Sequence, residues 1–144
     1  MPTTTPRRDA KDAFKAILDA AGLDATVYRD IPYEGAEAGS VVLTLVSGSS
    51  RRGAVGLQHS ATERAMEQRH RIQIDCYHDD KVECDNLADK VEQTIMDHLD
   101  VLRSRYGISD VGKIVDTDVA PPDPLRRLAR VLMDFEFVTY RALA

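Results

Sequence analysis

The stretch R-H-R-I-Q-I-D-C-Y-H-D-D, residues 69–80, decides the fold. Its side chains alternate. His70, Ile72, Ile74, Cys76 and His78 fall on one face of a strand, and Arg71, Gln73, Asp75 and Tyr77 fall on the other. The first face is apolar at its centre, so it belongs against a core. The two aspartates end the strand and open a helix. Asp80 as N-cap puts Glu83 at the third helical position, the spacing of a capping box.

Working outward, that helix is expected from about Lys81 to Arg105. Its apolar stripe is Cys84, Leu87, Ala88, Val91, Ile95, His98, Leu99 and Leu102, with Gly107 as its stop. Upstream, Asp9–Ala21 reads as a first helix, with Ala13, Phe14, Ile17, Leu18 and Ala21 on one stripe. Asp9 would be its cap and Gly22 its left-handed end. Thr26–Tyr33 is a short extended piece that Pro32 confines to an edge or a turn. Val41–Val46 is a β-branched apolar run, expected as a strand buried on both sides.

Residues 47–68 are rich in glycine, serine and arginine and weakly periodic. They read as a protruding loop, either a hairpin or a flexible arm that becomes ordered on contact with a partner. Downstream, Val111–Val119 is a weak strand, a proline turn follows, and Ala129–Leu143 is a closing strand. On that last strand Val131, Met133, Phe135 and Phe137 face one way, and Asp134 and Glu136 the other. The expected fold is one α+β domain over residues 9–144. It is a mostly antiparallel sheet packed on one face by two helices, preceded by a flexible arm at residues 1–8.

The 144 residues are 43% hydrophobic and 30% charged, enough for one domain with a real core. A net charge of −5 argues against general binding to nucleic acid or acidic membranes, which takes clustered cations. Two cysteines are too few for a disulfide framework and point to a reduced setting. No apolar run nears the roughly 20 residues of a membrane-spanning helix, and the opening M-P-T-T-T-P-R-R-D lacks a signal peptide's apolar region.

The same stretch holds residue types that carry chemistry in other settings. Cys76, His78, Cys84 and His70 are ligand types, but no C-x-x-C or H-x-x-x-H spacing joins them. Cys84 lies on an apolar stripe, where a thiol packs as a small hydrophobe. A small enzyme or metal site using Cys76, His78 and Asp79 is therefore the weaker alternative. No nucleophile signature surrounds any serine or cysteine, and the glycine-rich G-S-S-R-R-G-A-V-G lacks the ending of a phosphate loop. Arg126, Arg127 and Arg130 read as a solvated surface. No catalytic residue, metal or cofactor is expected.

Two segments carry a family resemblance. Arg71–Tyr77 has the form R-[IV]-[QR]-[IV]-[DE]-x-[YW], and Asp85–Val91, D-N-L-A-D-K-V, fits the last seven positions of A-x-x-L-A-D-x-V, whose first position is Cys84 here. Together with the aromatic final strand R-V-L-M-D-F-E-F-V-T-Y and the first helix, these resemble the tail terminator (tail completion) proteins of long-tailed phages and related viruses. The resemblance covers most of the chain apart from the first eight residues and residues 47–68.

It implies a hexameric ring that caps the tail tube, ends its polymerisation and joins the tail to head or neck connector proteins. DNA would pass through the lumen without specific binding. The implied location is the virion tail or neck, after assembly in the host cytoplasm. No membrane and no enzymatic activity are implied. Another neck component, such as a head-completion or stopper protein, is the nearest alternative. Candidate contacts to a neighbouring subunit or the tail tube are Arg51, Arg52, Arg64 and Arg69. Arg71, Gln73, Asp75, Asp134 and Glu136 are candidates for intersubunit or lumen contacts on the polar sheet face.

Overall fold

A computed structural model of the chain describes residues 6–30, 37–52, 58–60, 63–119 and 128–142. The elements, in chain order, are α1 (Pro6–Ala20), β1 (Thr26–Tyr28), β2 (Ser40–Arg52), β3 (Gln58–Ser60), β4 (Glu63–His78), α2 (Lys81–Asp97), α3 (Leu99–Tyr106), β5 (Ser109–Val119) and β6 (Ala129–Ala142). The sheet order is β1-β2-β4-β6-β5, with β3 paired to β4. β1 runs parallel to β2, and every other pairing is antiparallel. This is the expected α+β class, with three helices in place of two.

The alternation read along residues 69–78 sets the core. Ile72, Ile74 and Cys76 lie opposite Phe135, Met133 and Val131 across the β4–β6 ladder. All six are buried together with Val41 and Leu43 of β2. Against them pack Leu87, Val91 and Ile95 of α2 and Phe14 and Leu18 of α1. The Phe14 and Phe137 rings lie 5.5 Å apart in a tilted contact.

Asp80 caps α2 as expected: its carboxylate accepts from the Val82 N–H at 3.0 Å. That bond goes to the second helical residue, and among the described residues Glu83 makes no return bond, so the cap forms without the capping box. The Cys84 thiol donates to the Cys76 carbonyl at 3.3 Å and ties the helix start to the strand before it.

Two expectations need correction. The long helix is broken at His98, whose φ of −115° and ψ of 21° separate α2 from α3. The His98 ring binds the Thr94 carbonyl at 2.7 Å and its backbone N–H donates to the Ile95 carbonyl, which closes α2 at Asp97, about two turns before the expected end. The break turns Leu99 partly outward, so it leaves the expected stripe, while Leu102 remains fully buried.

The first helix begins at Pro6, which suits proline at a helix start, so Asp9 lies inside the first turn and is not the cap. Residues 6–8 are thus helical, and the remainder of the expected arm lies outside the described residues. Within residues 47–68 the described residues are paired strand. β2 runs to Arg52 and β4 starts at Glu63, and they pair through Arg52↔Met66, so most of the span is hairpin. Of the other expectations, Gly22 and Gly107 do hold the left-handed conformation of helix ends. Pro32 and the proline turn lie outside the described residues.

The pairing register makes this hairpin project. β5 flanks β6 only as far as Ser109↔Val138. The β4–β6 ladder continues to Ala65↔Ala142 and the β2–β4 ladder to Arg52↔Met66. β4 has 16 residues, about 50 Å at strand spacing, whereas the 17 residues of α2 span about 25 Å. Since α2 folds back from His78 over β4, it reaches about as far as His70. Beyond that level β2, β4 and β6 continue as a three-stranded ribbon that neither α2 nor β5 accompanies.

Candidate subunit interface

The sheet face turned away from the helices gathers all five polar residues expected there. They are joined diagonally across β4 and β6. Arg71, opposite Glu136 in register, reaches Asp134 at 2.9 Å. Arg69, opposite Val138, lies 4.0 Å from Glu136. Asp75 accepts from Gln73 at 2.7 Å and from the Arg130 Nε at 2.9 Å. Residues two apart on neighbouring strands are within reach of long side chains, so an alternating sequence on two strands suffices to build this ladder.

Arg130 and Tyr77 complete the site. Arg130 is expected, with Arg126 and Arg127, on a solvated surface. It is instead half-buried, paired with Asp75, and its guanidinium sits 5.6 Å from the Tyr77 ring centroid. The signal was present in the sequence, since Arg130 shares the parity of Leu132, Asp134 and Glu136 on β6. Burial, reinforced by the Asp75 charge, pushes the Tyr77 phenol up.

Asp75 and Asp134 are buried, although no described helix covers this face. Among the described residues, the buried Arg71 Nε and Asp134 Oδ1 have no hydrogen-bond partner. Arg71 and Glu136 keep much of their side chains exposed. The face is therefore a rigid, satisfied ladder at Asp75 and a partly open one at Arg71–Asp134. That suits recognition by polar groups.

The ribbon is the second candidate surface. Arg51, Arg52, Arg64 and Arg69 all lie on its strands, with Arg141 beside them on β6. Five arginines against two glutamates, Glu63 and Glu67, give the ribbon a formal charge of +3. The chain as a whole carries −5, so everything else sums to −8. Much of that lies on α2, which has five acids (Glu83, Asp85, Asp89, Glu92 and Asp97) against Lys81 and Lys90. Lys81 binds Asp85 and Asp118, and Lys113 of β5 binds Glu92.

The structure does not unite the metal-ligand types. Cys76 and Cys84 are buried in the core, and burial pushes both thiols up. His78 lies beside Asp79 on the surface. His70 is buried, stacked on Phe137 at 5.0 Å and bonded to Thr139 at 2.9 Å. Among the described residues no group of three or more His, Cys, Asp or Glu side chains is placed to hold a metal ion. An open basin of about 500 Å³ lies between the end of α1 and β1. Its Asp19 is engaged by Lys15, and its remaining lining is largely small residues and backbone. No described helix is long and apolar enough to cross a membrane. No protein-family model matches the chain, and a search of curated proteins finds no match either.

Proposed function

We propose that this chain is a tail terminator: a virion protein that forms a ring on the finished tail tube, stops its polymerisation and joins the tail to the head or neck. The reading rests on the resemblance carried by Arg71–Tyr77 and Asp85–Val91. One structural observation supports it above others, the β2–β4–β6 ribbon that outruns α2 and β5. A projection of paired strands offers its backbone edges to another protein. The polar ladder on the helix-free face supports the same reading, because a second rigid surface is what a subunit contacting several neighbours requires.

In this role the chain is a homo-oligomer, expected as a hexamer. It contacts the tail-tube protein on one side and a head or neck connector protein on the other. It needs no cofactor and catalyses nothing. DNA passes through the lumen without specific contacts, consistent with a net charge of −5. It functions in the virion tail or neck after assembly in the host cytoplasm.

The test uses tail-tube protein encoded in the same genome. Polymerisation is followed by light scattering while the chain is added in substoichiometric amounts. A terminator halts growth when present at one ring per tube end. Growth that continues unchanged at equimolar chain would refute the reading.

A further inference from the structure

The charge on this molecule is segregated, and the two halves do not face each other within one copy. The ribbon carries +3 and the remainder −8. α2 lies over β4 between His78 and about His70, while the ribbon runs on from that level away from the helix. A copy cannot fold its own ribbon onto its own α2.

The outer face of α2 also holds uncompensated charge. Glu83 and Asp89 are exposed and have no ion pair among the described residues. Asp85 and Asp89, one helical turn apart, repel one another. Asp97 sits in the last turn, where no basic residue accompanies it and the helix dipole disfavours an acid. Each of these costs would be relieved by cations from outside.

We propose that the basic β2–β4–β6 ribbon of one copy docks on the acidic outer face of α2 in a neighbouring copy. The inference rests on the ring reading and names the surface each ribbon meets. Dimensions agree: six ribbon residues span about 20 Å, within the roughly 25 Å of α2. The contact joins two different patches, so it is head-to-tail and propagates around a closed ring. Three strands about 14 Å wide over that length cover less than the roughly 800 Å² per partner of a stable interface, so the docking reinforces a ring and is not its whole interface. Nucleic acid is the less suitable occupant. The −8 of the body repels phosphate.

The experiment is sedimentation velocity of the full chain at low and high salt, with two charge-reversed variants. Arg52→Glu/Arg64→Glu reverses the ribbon. Asp89→Lys/Asp97→Lys reverses the helix face, and a lysine at position 97 favours the helix dipole, so unfolding would not explain a lost association. The unmodified chain should self-associate more strongly at low salt. Each variant alone should associate about tenfold or more weakly. Their equimolar mixture, or one chain carrying all four changes, should recover association, since reversed ribbons then meet reversed helices.

No self-association of the unmodified chain at low salt, no effect of the helix variant, or no recovery on mixing would each overturn the proposal. So would a ribbon variant that associates normally and loses only salt-dependent binding to a random-sequence DNA duplex. The tube-growth assay separates this from the functional reading. Unimpaired termination by variants that no longer associate leaves that reading standing and removes this one. Charge-dependent association without termination does the reverse.

Discussion

Replacing Arg130 with alanine tests the ladder on the helix-free face. Asp75 has only 5% of its side chain exposed and is held by two donors, Arg130 and Gln73. Arg130→Ala leaves that carboxylate buried with a single neutral donor. Breaking a fully buried pair by removing one partner costs about 3–5 kcal/mol. The Arg130 side chain is 23% exposed, and water entering its vacated space would resolvate part of the carboxylate. The expected loss is therefore about 2–3 kcal/mol.

Asp75→Ala should cost less, about 1–2 kcal/mol, because the freed guanidinium can turn toward solvent and remain over Tyr77. The double variant should fall short of the sum by about 1–2 kcal/mol, since it orphans no charge. Urea unfolding followed by far-ultraviolet circular dichroism measures all three, and with a slope of about 2 kcal/mol per molar the Arg130→Ala midpoint drops by about 1 M. Additive single costs, or an Arg130→Ala cost under about 0.5 kcal/mol, would refute the claim that this pair is energetically coupled.

Phe135 is fully buried between the sheet and the helices, so Phe135→Ala should cost about 3–5 kcal/mol in the same assay. Burial lowers the pKa of His70, so the unfolded chain binds its proton more readily than the folded one. Stability should fall as pH drops below about 6.5 toward the lowered folded value, by at most about 1.4 kcal/mol per pH unit, and His70→Gln should remove that component from unfolding curves recorded at pH 7 and 5.5. Burial also raises both thiols, so a thiol reagent at pH 8 should label Cys76 and Cys84 only at the rate of opening, and at once in urea.

Most of the core was readable from residues 69–80 and 131–137. On a strand half buried in a core, a period of two fixes the face of every residue once one face is known. The polar ladder followed from the same parity, and Arg130 escaped only because two neighbouring arginines made it look like part of a loop. The break at His98 was hidden because α3 resumes the apolar stripe at Leu102 after one residue of non-helical backbone. The extension of β2 past Val46 was hidden for a different reason. Glycine and serine carry little strand propensity, and what pairs Ser47–Arg52 is the backbone ladder offered by β4, a contact between residues about 14 to 24 positions apart. The parallel β1–β2 pairing has no local signature at all, since it depends on where the intervening residues return the chain.

The proposed tail-terminator role meets its most direct test in negative-stain electron microscopy of tail tubes assembled from the tube protein of the same genome and incubated with the purified chain. A terminator forms a ring of six subunits seated on one end of each tube, the end where growth would continue. Tubes whose ends stay bare in excess chain, or chain bound along the tube wall with free ends, would contradict it.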